Sequence, residues 1–138
     1  MKPIEEFMLL AINEAKRARD CNEVPVGAVV VRDNSVIGTG FNSVIQDHSV
    51  TSHAEIHALN SASKAMRNYR LLNCDLYVTL EPCHMCAKAI VDARINFVYF
   101  GAFEPKTGAI QSIDRGQFEA CKALGFKKYI YFFKYLNK

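Results

Sequence analysis

Two short clusters in this 138-residue chain carry side chains able to hold a metal ion and move protons: His53-Ala54-Glu55 and Pro82-Cys83-His84-Met85-Cys86. Cysteines three apart on a helix share a face, so Cys83 and Cys86 can grip one ion. Each cluster opens a predicted helix, where unpaired N–H groups carry partial positive charge and favour the thiolate. Two thiolates and the imidazole of His53 make a good zinc set with one coordination position open to water. Residues two apart on a helix point roughly 200° away from each other, so Glu55 suits a place beside the ion rather than on it.

A base beside the ion has a physical purpose. Zinc with neutral ligands lowers the pKa of water from ~15.7 to about 7, which is on the order of 12 kcal/mol of hydroxide stabilisation. Two thiolates cancel the formal charge of the ion and weaken that effect, so a nearby carboxylate is needed more than at an all-histidine site. The same residues leave other readings open. His57 lies four residues after His53 and would close a Cys2His2 structural site. Cys83-x-x-Cys86 alone also suits thiol redox chemistry, although that leaves His53-x-Glu55 without a role. The zincin pattern His-Glu-x-x-His is absent. Gly38-Thr39-Gly40 is too short to signal a dinucleotide site, and a hairpin strand explains it better. His48 and His84 read as surface residues.

Elements of ordinary length must position these clusters. Ile4, Phe7, Met8, Ala11, Ala15 and Ala18 recur at helical spacing. Pro3 stands at the start, Glu5 and Glu6 in the first turn, and Lys16, Arg17 and Arg19 near the end, which predicts an amphipathic helix over Pro3–Asp20. A hairpin follows, with strands at Gly27–Arg32 and 36–41 around Asp33-Asn34-Ser35. A polar loop over 42–51 leads to a helix at 53–66, a strand at 76–80, a helix at 82–93, a strand at 95–100 and a loop at 101–109. Helical crossovers between strands imply a partly parallel sheet covered by helices.

Composition bounds the rest. With 50% hydrophobic and 22% charged residues, the chain reads as a single domain, 1–138, able to bury a core without disulfides. No apolar run approaches the ~18–20 residues of a membrane span. Glu5 and Glu6 interrupt the apolar pattern of the start, which argues against a signal peptide and for the cytoplasm. In a reducing compartment five cysteines suggest metal or redox chemistry, and Cys21, Cys74 and Cys121 read as buried small apolar residues. A net charge of +3 permits an anionic partner without demanding one. The stretch 120–138 holds five lysines and no acid among its aromatics. It suits either a stacking surface for RNA or an amphipathic final element that caps the core, as helix or strand.

His-x-Glu followed by Pro-Cys-x-x-Cys matches the signature of zinc-dependent nucleobase deaminases. The sequence resembles the bacterial tRNA-specific adenosine deaminases of the cytidine/deoxycytidylate deaminase-like superfamily. The likeness also covers Val24-Pro25-Val26-Gly27-Ala28-Val29-Val30-Val31, Leu76-Tyr77-Val78-Thr79-Leu80-Glu81-Pro82-Cys83, Phe100-Gly101-Ala102-Phe103 and Lys106-Thr107-Gly108-Ala109. It runs from about Ile4 to Gln111. The resemblance implies a three-layer α/β/α cytidine deaminase-like fold with a mixed sheet of four or five strands. It implies deamination of adenosine to inosine at the tRNA wobble position, one Zn2+ per chain held by His53, Cys83 and Cys86, and Glu55 as proton shuttle. Asn42 and the backbone around Ala54 would bind the flipped base, Glu104 and Lys106 are candidate RNA contacts, and a homodimer would grip the anticodon loop. Where the family usually has Asp, this chain has Glu104, and the segment 112–138 is shorter than the family pattern and unlike it. The alternatives are a deaminase of free guanine or cytosine and a zinc-stabilised RNA-binding module without catalysis.

Overall fold

The strand Gly27–Arg32 (β1) is β-branched and buried along almost its whole length, as a strand covered on both faces must be. A two-residue turn joins it to β2 (Ser35–Phe41), with φ of 50° at Asp33 and 62° at Asn34. Asp and Asn tolerate this left-handed conformation, and the turn's twist matches that of the flanking strands. In the computed structural model, which describes residues 3–109 and 129–131, these two strands pair antiparallel.

The element order is α1 (Pro3–Asp20), β1, β2, α2 (Ala54–Met66), β3 (Cys74–Val78), α3 (His84–Asp92), β4 (Val98–Phe100) and β5 (Tyr129–Tyr131). The strands lie in the order β2-β1-β3-β4-β5. β3 is antiparallel to β1, while β4 and β5 continue parallel to β3. The sheet is therefore mixed, with five strands among the described residues. Alternation along each strand sorts two faces. Ala28, Val30, Leu76, Val78, Val98 and Phe100 pack against α2 and α3. Val29, Val31, Tyr77 and Tyr99 meet Phe7, Met8 and Ala11 of α1 on the other face, with Tyr77 and Tyr99 stacked 4.4 Å apart. This is a three-layer α/β/α arrangement.

Two glycines allow the layers to approach. A side chain at Gly38 would place its Cβ 2.5 Å from the Ala58 carbonyl, and one at Gly40 would strike the carbonyl of Ala54. The short Gly38-Thr39-Gly40 stretch is a strand whose glycines seat α2 directly on β2.

Some boundaries differ from the sequence reading. β3 starts at Cys74 and stops at Val78, two residues earlier than 76–80 at each end, because Cys74 and Asp75 pair with Arg32 and Val31 of β1. β4 is only Val98–Phe100, within the expected 95–100. Cys74 is buried as expected, but Cys21 is exposed, because it lies just beyond the last turn of α1 and outside the core. Cys121 and most of 112–138 lie outside the described residues. Within that stretch Tyr129–Tyr131 is a strand. Among the described residues no helix is long and apolar enough to cross a membrane.

Candidate active site

β2 and β3 run in the same direction, and the chain enters α2 and α3 just beyond their carboxyl ends. Ligand sites of open α/β sheets form at that edge. Both helices begin with a metal donor. His53 caps α2 with φ −82° and ψ 154°, and Cys83 caps α3 with φ −74° and ψ 176°. Extended backbone at a cap lets each side chain project ahead of its helix. The sequence reading placed both residues inside the helices, and the structure moves them one step out.

His53, Cys83 and Cys86 offer donor atoms that all lie within 4.8 Å of one another, the one such group of three among the described residues. The Nδ1 of His53 is 3.6 Å from the Cys83 Sγ and 3.5 Å from the Cys86 Sγ. A tetrahedral zinc with its usual bond lengths to nitrogen and sulfur sets such edges at about 3.6 Å, so the residues fit the ion. A hydrogen bond with Cys86 lowers the Cys83 thiol to about 5. The same contact, together with burial, raises Cys86 well above the ordinary thiol range. The pair thus holds one thiolate readily, and a cation would draw off the second proton.

Glu55 sits in the first turn of α2, 4% exposed, and burial pushes its carboxyl up to about 7. His57 does not join the donors. Its Nε2 is 2.8 Å from the Ser43 hydroxyl and 3.4 Å from the Asp47 carboxylate. Ser43 in turn donates to Asp47 at 2.6 Å, and hydrogen bonds from Ser43 and Ser52 hold that acid below its usual range. Serine and aspartate meet the same imidazole nitrogen, so this cluster is not a nucleophilic triad. It ties the loop after β2 to α2, and the donor set stays at three.

A cavity of about 330 Å³ reaches the donors and is lined by His53, Ala54, Glu55 and Cys83 together with Asn42 and Glu104. Asn42 is buried, with its side-chain N–H donating to the Val24 carbonyl at 3.2 Å. Lys106 stays on the surface, its backbone N–H on the Glu104 carboxylate at 3.0 Å. His48 and His84 are exposed, as expected.

Two lining residues escaped the sequence reading. Glu23 and Glu81 are 6% and 2% exposed. Glu23 accepts the N–H groups of Ile45 and Gln46, and Glu81 accepts that of Glu104. Their partners are backbone amides more than twenty positions away, which no local pattern announces.

Residues 1–102 match the family model described as the cytidine and deoxycytidylate deaminase zinc-binding region. A tRNA-specific adenosine deaminase of Haemophilus influenzae is 51% identical over 109 residues, 78% of this chain and 63% of that protein. The chain thus spans just under two thirds of that relative. A solved structure from a study of A-to-I editing by tRNA:A34 deaminases at the wobble position of transfer RNA superposes with a TM-score of 0.86. Its identity is 42%, with 94% of this chain and 98% of that one covered. The guanine deaminase of Bacillus subtilis superposes with a TM-score of 0.70 at 28% identity, over 90% of this chain and 96% of that one. With a zinc-fitting triad inside the matched region, this chain belongs to the cytidine and deoxycytidylate deaminase zinc-binding family.

Proposed function

We propose that the protein hydrolyses adenosine to inosine at the wobble position of a tRNA anticodon, with one zinc per chain. The observation that carries this reading is a buried, unligated Glu55 beside a three-donor set, in a pocket walled by Asn42 and Ala54. The similarity to tRNA-specific adenosine deaminases supports the substrate.

His53, Cys83 and Cys86 would hold a zinc that supplies a Lewis acid and lowers the pKa of water, though less than with neutral ligands alone, which leaves the rest of the activation to Glu55. Glu55 carries the protons. It takes the proton that water gives up as its oxygen adds to C6 of adenine, and it passes that proton to N1. It then moves the hydroxyl proton to the exocyclic amine, which leaves as ammonia while the C6 carbonyl forms. A carboxyl raised to about 7 both takes and gives protons at neutral pH. Asn42 holds the edge of the base. Ala54 is the first residue of α2, where N–H groups have no partner within the helix, so its amide is placed to donate to the base as well. A base leaves its stack more cheaply from a loop than from a duplex, which favours an anticodon loop. Glu104 at the pocket and Lys106 beside it are the proposed RNA contacts. The reading includes a homodimer and a cytoplasmic location, both of which suit a tRNA enzyme; sedimentation tests the first.

The test incubates zinc-loaded protein with full-length tRNA, an anticodon stem-loop, and free adenosine, guanine and cytosine. Inosine in the digested RNA, with no product from free adenosine, is the expected result. Ammonia from guanine or cytosine without inosine in RNA would assign the free-base activity that the guanine deaminase likeness allows. RNA binding without turnover, unaffected by Glu55→Ala, would leave a non-catalytic module.

A further inference from the structure

The loop after β2 carries Asn42 but has little apolar packing of its own. Ile45 is 67% exposed, and Gln46, Asp47 and His48 are exposed as well. Such a loop keeps its shape only through polar fixings. Its base is closed by the Ser43 N–H on the Ser52 carbonyl at 2.9 Å. Asn42 is fastened to the segment before β1, through its backbone N–H on the Val26 carbonyl at 3.0 Å and its side chain on the Val24 carbonyl. The outward part of the loop is fastened on one side by Asp47, through Ser43 and His57, and on the pocket side by Glu23. The Glu23 Oε1 accepts the Ile45 N–H at 3.0 Å and its Oε2 accepts the Gln46 N–H at 2.7 Å.

Glu23 is itself well anchored. It follows the end of α1, and its backbone N–H donates to the Ala18 carbonyl at 3.0 Å. It is 6% exposed and lines the pocket, yet both carboxyl oxygens are occupied by backbone. With each oxygen turned to a loop amide, the carboxyl is held against the loop, and its influence on the reaction passes through the segment it holds. The neighbouring Val24 supplies the carbonyl that orients the Asn42 amide, so the two fixings flank one wall of the pocket from adjacent residues.

The geometry points to Glu23 as a positioning residue: its carboxyl clamps residues 45–46 and thereby holds Asn42 in the orientation that meets the base. The clamp acts on substrate fit and leaves the metal donors, which sit at the caps of α2 and α3 and in the first turn of α3, undisturbed. The role in turnover rests on the deaminase reading above; the orientation of Asn42 does not.

The experiment compares zinc-loaded wild type with Glu23→Ala and Glu23→Gln by 15N NMR, zinc analysis and steady-state kinetics on an anticodon stem-loop. Glu23→Ala should speed amide exchange at Ile45 and Gln46 by about tenfold or more, the factor that a hydrogen bond to a charged group represents. It should also shift the Asn42 side-chain amide signals and raise KM by about tenfold, with kcat changing less and zinc remaining at one per chain. Glu23→Gln keeps one acceptor oxygen and should fall between the two. Unchanged Asn42 signals in both variants would overturn the inference, as would zinc lost from both, since that would make Glu23 a support of the whole fold. An inert wild type would defeat the deaminase reading while the Asn42 signals still decide the clamp.

Discussion

Replacing His57 by alanine tests whether the zinc set has three protein donors or four. In the structure the His57 imidazole serves the loop after β2, with its Nε2 2.8 Å from Ser43 and 3.4 Å from Asp47. Its side chain is 36% exposed, so water replaces part of what the substitution removes. A hydrogen bond of this kind contributes a net ~0.5–1.5 kcal/mol, and exposure puts the loss near the lower half of that range. Unfolding entropy of about 2.1 cal/mol/K per residue converts such a loss in a chain of this size to a fall of about 2–4 °C in Tm. Zinc analysis of the purified variant should still give one ion per chain. A His53→Ala variant, by contrast, removes one of three donors and should lose the ion or hold it far more weakly. Cobalt substitution adds a spectroscopic check, because its absorption bands report the donor set directly. If His57→Ala loses zinc as His53→Ala does, four protein donors hold the ion, the assignment of three is wrong, and the position left for water disappears with it.

Other expectations follow from the same geometry. Glu55→Gln preserves volume and should keep zinc while lowering kcat by about 10²–10⁴, the usual scale of a general acid–base group; inosine formation and metal analysis on one sample check both. Stripping zinc with a chelator should lower Tm, since an ion at 1,000 times its Kd adds about 4 kcal/mol of stability; a melting curve indifferent to chelator would contradict zinc binding. Gly40→Ala drives a Cβ into the Ala54 carbonyl and to 2.6 Å from the Ala58 nitrogen. Overpacking of this kind costs about 1–3 kcal/mol, and because it strikes the first turn of α2, zinc affinity should fall together with Tm.

Much of this was legible because local signals agreed with one another. The spacing of apolar residues and the charge pattern set α1 at the bounds observed, Pro3–Asp20, and a β-branched run did the same for β1 at Gly27–Arg32. The metal donors were legible because thiol and imidazole at those spacings have few other uses. What the sequence could not resolve depended on distant partners. His57 stands at the right interval from His53 to be a ligand, and only the return of the loop carrying Ser43 and Asp47 takes it elsewhere. β3 begins at Cys74 because β1 is there to pair with it, and a propensity reading that favours Leu76 to Leu80 has no access to that partner. Cys21 shows the opposite failure: apolar by type, it is exposed because α1 ends one residue before it. Glu23 and Glu81 drew no role from the sequence, because the backbone amides they hold come from loops more than twenty positions away.

The placement of His53 and Cys83 at caps, rather than inside their helices, bears on how the site tolerates its own charge. Two thiolates and a carboxylate within one pocket repel each other, and burial removes the water that would screen them. Each helix N-terminus offers roughly half a positive charge through its unpaired N–H groups, and α2 and α3 bring two such ends to the same edge of the sheet. Cys86 and Glu55 lie in the first turns, where that field is strongest, while the cap residues His53 and Cys83 reach forward to form a donor set with Cys86 alone. Had the donors been placed mid-helix, the N–H groups would be spent on the helix itself and the thiolates would depend on the cation alone. Glu55 also faces the Cys83 charge, which adds to burial in raising its carboxyl. Burial first, and the Cys83 charge after it, thus hold the acid beside the donors above the ordinary carboxylate range, against the helix-end field that favours its ionised form.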